Sequence, residues 1–163
     1  MFKNFYADAY LDNITCVTPD FLKERNLKGL ILDIDNTLIG HNVPMPDEKV
    51  MNHLRMLEKE GIKLCVVSNN RYERVKNFSE KIGVEFFVHD ALKPKTRGYD
   101  LASKEMGLDK KEIGAAGDQI FTDVWGAKRA GCYAVYTKPL HKGNEGFLIA
   151  LKRILEKPFL KRK

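Results

Sequence analysis

A run of aliphatic residues that ends in two carboxylates limits the architectures open to this chain. It reads Leu30-Ile31-Leu32-Asp33-Ile34-Asp35-Asn36-Thr37-Leu38, preceded by Gly29. A short, continuously apolar run suits a strand buried on both faces, as in a parallel sheet. Carboxylates at the C-terminal end of such a strand lie where open α/β sheets bind ligands. If the chain turns out of the strand at Ile34, Asp33 and Asp35 face one site. Two close carboxylates repel unless a cation lies between them, and hard oxygen donors favour Mg²⁺. An aspartate can also attack phosphorus and form an aspartyl-phosphate. Taken alone, the same residues also fit a strand followed by an Asp-rich turn.

The remainder alternates strand and helix signals. Residues 1–13 are aromatic-rich and match neither period; they read as an arm packed across the domain or, as the rival, an aromatic lip at an interface. Thr18-Pro19 opens a short helix as N-cap and first helical residue. A helix starts at Pro46-Asp47-Glu48 and ends at Gly61. Strands are expected over 63–67, 84–88, 113–116 and 132–136. Helices are expected over 72–82, 96–106, 121–130 and 144–157, several of them stopped by glycine. This order predicts an α/β, Rossmann-like three-layer sandwich around a five-stranded parallel sheet. The 163 residues make one domain, with an N-terminal arm and helix (1–28) and a basic C-terminal helix and tail (138–163).

The net charge of +6 belongs to that last segment, which has eight Lys/Arg against two Glu; the rest is formally neutral. Cys16, Cys65 and Cys132 form no metal-binding pattern. With neither a secretory layout nor a membrane-length apolar run, a cytoplasmic location is expected.

Four polar clusters follow the expected strands: Asp33/Asp35, Ser68, Lys93 with Lys95, and Asp118 with Asp123. All fall at one edge of the sheet, and each meets a need of phosphoryl transfer. Asp33 can be the nucleophile. Asp35 can protonate the leaving oxygen and later deprotonate a water. Ser68, the turn amides after it and a lysine can bind the phosphoryl oxygens, with Thr37 and Asn69 either touching the phosphate or supporting the groups that do. Asp33 and Asp118 offer oxygens for Mg²⁺.

Asp33-Ile34-Asp35-Asn36-Thr37, Ser68, Lys93-Pro94 and Gly117-Asp118-Gln119-Ile120-Phe121-Thr122-Asp123 resemble, in order, the four motifs of the haloacid dehalogenase (HAD) superfamily. The resemblance implies Asp33 as nucleophile, Asp35 as acid/base, and Ser68 and Lys93 as phosphate ligands. It implies a metal site drawn from Asp33, Asp35, Asp118 and Asp123. Lys93, which precedes proline, is favoured over Lys95. The spacing between motifs leaves no room for an inserted cap, so an open, capless site is expected. The whole chain is similar to subclass IIIA phosphatases of the YqeG type and, through them, to phosphatidylglycerophosphate phosphatases. That likeness implies release of the terminal phosphate of phosphatidylglycerophosphate.

The last helix sets Phe147, Leu151, Ile154 and Leu155 on one face and Lys152, Arg153, Glu156 and Lys157 opposite. It reads as packing its apolar face on the sheet; the rival is peripheral contact with an anionic membrane at its inner face. Alternatives for the activity are a phosphatase of a soluble sugar or nucleotide phosphate, and a phospho-acceptor module that uses Asp90 without turnover. The basic residues lack the interleaved aromatics of a nucleic-acid groove. His41, His53, His89 and His141 are scattered and carry no assigned chemistry.

Overall fold

The computed structural model describes residues 2–40, 43–140 and 146–160. Six strands form one parallel sheet: β1 Ala9–Leu11, β2 Gly29–Leu32, β3 Lys63–Val67, β4 Phe86–Val88, β5 Ile113–Gly117 and β6 Tyr133–Thr137. The helices are α1 Pro19–Lys23, α2 Glu48–Lys59, α3 Tyr72–Ile82, α4 Arg97–Met106, α5 Trp125–Ala130 and α6 Phe147–Glu156. Strand order is β1-β6-β5-β2-β3-β4. The chain leaves β2 in one direction to β3 and β4, then returns past it to β5 and β6. The end of β2 is therefore the switch point at which open α/β sheets form their ligand crevice.

Side chains on β2 alternate faces, as a strand requires. Leu30 and Leu32 join Leu22, Leu54, Leu57, Val75 and Phe78 beneath α1, α2 and α3. Ile31 joins Tyr99, Ala102, Met106, Val124 and Ala127 beneath α4 and α5. Three layers result, with β2 buried on both sides. The local signals explain the ends. Thr18 Oγ1 accepts from the Phe21 amide and starts α1, and Asp47 does the same for Val50 and α2. Gly83, Gly107 and Gly131 close α3, α4 and α5 with φ of 77°, 62° and 87°, a region few other residues tolerate.

The sheet has six strands where the sequence predicts five. The extra one, β1, comes from the aromatic arm, whose Ala9, Tyr10 and Leu11 pair with Val135, Tyr136 and Thr137. Three residues are too few to display a period. The arm packs across the domain. Phe5 packs edge-on against Phe121 and at a tilt against Trp125 and Phe159, with ring centroids 5.3, 5.1 and 5.2 Å away. Tyr10 Oη donates to the Phe159 carbonyl at 2.7 Å and accepts from the Ala7 amide at 3.0 Å, which ties the two chain ends together. No helix among the described residues is long and apolar enough to cross a membrane.

Tyr10→Phe removes both bonds and leaves a partly buried amide and carbonyl without a side-chain partner. The expected loss is about 1–2 kcal/mol of unfolding free energy, read from urea denaturation. A midpoint equal to wild type would mean that the arm is not anchored there.

Candidate active site

The site is assembled from the loops that leave β2, β3, β4 and β5. The Asp33 amide donates to Ala116 O at 3.1 Å, so Asp33 continues the sheet by one residue. The chain then turns at buried Ile34, whose carbonyl accepts from the amides of Leu38 and Ile39 at 3.0 and 3.2 Å. Asn36 takes φ 61° within this turn, a conformation asparagine tolerates better than most residues. Asp33 and Asp35 both line the resulting cleft, which has a volume of about 240 Å³.

The loop after β3 is stitched to the loop after β4. Ser68 O accepts from the Ala91 amide and Asn70 O from the Asp90 amide. Asn69 clasps the main chain of Lys93, accepting from its amide at 2.7 Å and donating to its carbonyl at 3.4 Å. Lys93 is thereby aimed between two carboxylates, with Nζ 2.5 Å from Asp33 Oδ1 and 2.6 Å from Asp123 Oδ1. Asp123 lies in a π-helical turn, Ile120–Val124, a distortion often found at functional sites. It sits against the bare backbone of Gly117, where a Cβ would come within 2.4 Å of its side chain. The Gln119 amide donates to Asp123 Oδ2, and Tyr99 Oη donates to the Asp123 carbonyl at 3.0 Å.

Asp118 is fully buried. Arg153, from α6, donates to its Oδ2 and, at 2.8 Å, to its carbonyl. Asp118 Oδ1 accepts no hydrogen bond among the described residues. Asp33, Asp118 and Asp123 offer oxygens that all lie within 4.8 Å of one another. Three carboxylates thus face two cationic side chains. An unshared buried oxygen, hard donors and a surplus of negative charge together fit a divalent cation.

Burial raises the Asp33 carboxyl to about 7, with Asp123 adding to the rise and Lys93 opposing it. Burial, Asp123 and Asp33 push Asp118 well above the usual carboxylate range against the pull of Arg153. Burial works against the Lys93 ammonium, but Asp123 and Asp33 outweigh it and hold its pKa well above that of free lysine.

Not every expected residue stands where the sequence put it. Asp35 lies outside the three-carboxylate cluster: Arg74 occupies its Oδ1 and Asn70 its Oδ2, the latter at 2.8 Å. Thr37 is buried and does not line the cleft, because the turn after Ile34 carries it off the cleft wall. Asn69 does line the cleft, but its side chain is committed to Lys93. Ser68 does not cap α3, whose N-cap is Arg71; its Oγ accepts from the Asn70 amide and side chain. Of the two lysines after β4, Lys93 and not Lys95 lines the cleft. Asp90 pairs with His89 outside the cleft.

Sequence reasoning missed Arg74, Asn70, Arg153 and the orientation of α6. That helix presents its polar side inward. Ile149 and Lys152 line the cleft, Arg153 binds Asp118, and buried Glu156 accepts from the Phe121 amide at 2.9 Å. Leu151, Ile154 and Leu155 are 44%, 57% and 56% exposed. The expected packing of the apolar face on the sheet is therefore reversed, since the buried charge at Asp118 and the amide of Phe121 need polar partners. Among the described residues, the connection from β2 to β3 holds a loop and α2 and no inserted cap, yet α6 forms part of the wall of the site. The basic tail 161–163 and His141 lie outside the described residues.

Comparison with known proteins follows the same lines. A model of the haloacid dehalogenase-like hydrolases matches residues 42–131. The probable phosphatase YqeG of Bacillus subtilis is 37% identical over 158 residues, 97% of this chain and 91% of that protein. The chloroplastic/mitochondrial phosphatidylglycerophosphate phosphatase 1 of Arabidopsis thaliana is 28% identical over 152 residues, 88% of this chain but 43% of that protein. The cobalt-bound deoxy-D-mannose-octulosonate 8-phosphate phosphatase of Haemophilus influenzae shares the fold, with a TM-score of 0.52 at 19% identity over 84% of this chain and 91% of that one.

The metal-free site carries a pH dependence of definite sign. An unfolded aspartate ionises near 3.8 and folded Asp33 near 7, so in between the folded state holds the extra proton and its stability falls as pH rises. In thermal melts without metal, the Tm of Asp33→Asn minus that of wild type is expected to grow between pH 4 and 7. Mg²⁺ is expected to reduce the difference above pH 7. A difference that stays flat with pH would contradict the burial of Asp33 among like charges.

Proposed function

Because the chain belongs to the haloacid dehalogenase-like hydrolases and is a phosphatase of that superfamily, we propose that it releases the terminal phosphate of phosphatidylglycerophosphate through an aspartyl-phosphate on Asp33. Asp33 attacks phosphorus as the alcohol oxygen leaves, and Asp35 gives that oxygen a proton. Asp35 then takes a proton from the water that attacks the aspartyl-phosphate, which frees inorganic phosphate and restores Asp33. Lys93 and the turn amides after Ser68 bind the phosphoryl oxygens. Asn69 acts one step away, by fixing the Lys93 backbone. Asp33, Asp118 and Asp123 would hold Mg²⁺, which when bound offsets the charge of the phosphoryl group and of the carboxylates. Burial and the surplus of acids support that assignment, since an ionised nucleophile needs a counter-charge in this setting.

The observation that carries the lipid reading is the outward apolar face of α6 beside the cleft. Leu151, Ile154 and Leu155 stand exposed next to Lys152, which lines the cleft, and Leu92 and Leu140 are exposed on the loops after β4 and β6. Apolar side chains flanked by lysine suit the headgroup boundary of an anionic bilayer.

Phosphate release with Mg²⁺ is the test, run on phosphatidylglycerophosphate in vesicles, glycerol 3-phosphate, a sugar phosphate and p-nitrophenyl phosphate. The lipid is expected to be the preferred ester, and Asp33→Asn is expected to lower kcat on every ester on the order of 10³-fold or more. Preference for a soluble ester would refute the lipid assignment. In co-sedimentation with phosphatidylglycerol vesicles, Ile154→Ser with Leu155→Ser is expected to cut the bound fraction several-fold. Equal binding would remove α6 as the contact.

A further inference from the structure

A second cavity, of about 290 Å³, lies beside the catalytic cleft. Ile39, Val43, Pro44, Arg74, Asn77, Phe78 and Lys81 form its walls. Its polar side comes from α3, where Arg74, Asn77 and Lys81 follow one another at helical spacing and share a face. Its apolar side comes from the loop after β2 and from Phe78. No acidic residue among the described ones lines it.

The two cavities adjoin at an ion pair that includes the residue assigned to proton transfer. Arg74 lines the second cavity while its guanidinium donates to Asp35 Oδ1, and Asp35 lines the catalytic cleft. Ile39, on the cavity wall, forms a backbone bridge with Asp35. The Asp35–Arg74 ion pair therefore stands between the catalytic cleft and Lys81. The side chains of Asn77 and Lys81 have no hydrogen-bond or ion-pair partner among the described residues. An uncommitted ammonium, an amide and a guanidinium shared with Asp35 make a poor wall for a cation or a neutral sugar. They suit an oxyanion, for which guanidinium and ammonium groups supply charge-assisted hydrogen bonds.

We propose that this cavity is a subsite for a second phosphate-type group of the substrate, across the Asp35–Arg74 pair from the phosphate that is removed. The inference rests on the phosphatase reading of the Asp33 cleft and narrows it to esters that carry two phosphate groups. Arg74 and Lys81 bind the second phosphate, and Asn77 donates to it. Ile39, Val43 and Pro44 meet the carbon that this phosphate bears. Lys81 is a specificity residue: it touches substrate far from the reacting atoms and adds binding to one class of ester. Arg74 serves both cavities, so its removal would disturb Asp35 as well and would not separate the two effects.

Lys81 does separate them. Initial rates with Mg²⁺ are compared for dihexanoyl phosphatidylglycerophosphate and fructose 1,6-bisphosphate, which carry two phosphates, and glycerol 3-phosphate, which carries one. In Lys81→Ala, kcat/KM for a two-phosphate ester relative to glycerol 3-phosphate is expected to fall about tenfold, mainly through KM, as for loss of one charge-assisted contact. Lys81→Arg is expected to keep most of the ratio. A fall for both two-phosphate esters identifies the second phosphate alone as the recognised group; a fall for the lipid only identifies a phosphodiester with its acyl glycerol. An unchanged ratio in Lys81→Ala, with a wild-type melt, overturns the subsite. So does wild-type protein that prefers glycerol 3-phosphate, which leaves the phosphatase reading intact. Wild-type protein that hydrolyses none of the three refutes that reading, and the subsite with it.

Discussion

One ammonium group held between a half-buried and a buried carboxylate is the constraint on which the site depends. Without Lys93, Asp33 and Asp123 would repel at close range in a medium that screens poorly. With it, they are held near enough to Asp118 to offer three oxygens to one ion. The surrounding structure serves that placement. Asn69 fixes the lysine backbone, Gly117 leaves room for the Asp123 side chain, and Tyr99 anchors the Asp123 carbonyl from the core. The arrangement carries more acid than base, and a divalent cation would offset the excess.

The last helix makes a second point about balance. An amphipathic helix usually turns its apolar face to the core. Here α6 turns Arg153 and Glu156 inward and leaves Leu151, Ile154 and Leu155 outside. A buried carboxylate and an amide without a partner cost more than the exposure of three aliphatic side chains. The same inversion places an apolar stripe beside the cleft. The demand of the site and the character of the rim thus have one origin.

The sheet core and the cleft were legible from local pattern. Asp33, Ser68, Lys93 and Asp118 each follow a strand or a short loop after one, and parallel strands deliver their C-terminal ends to a common edge. What stayed hidden depended on contacts distant in sequence. Arg74 lies within a helix whose apolar period gives no reason to single it out, and it meets Asp35 39 positions away. Arg153 reads as one more cation on a solvated face until Asp118 is seen without solvent. Thr37 was placed by its closeness to Asp33 in sequence, but a tight turn reverses direction within a few residues. The sixth strand was hidden because three residues leave no period to detect.

A crystal structure with Mg²⁺ and beryllium fluoride tests the central claim most directly, because trifluoroberyllate forms a stable mimic of an acyl phosphate on a nucleophilic carboxylate. The account predicts beryllium bonded to an Asp33 carboxylate oxygen, Lys93 Nζ on a fluorine, and the metal against Asp33 and Asp118. An adduct on Asp35 or Asp90, or a metal bound away from the three clustered carboxylates, would contradict it.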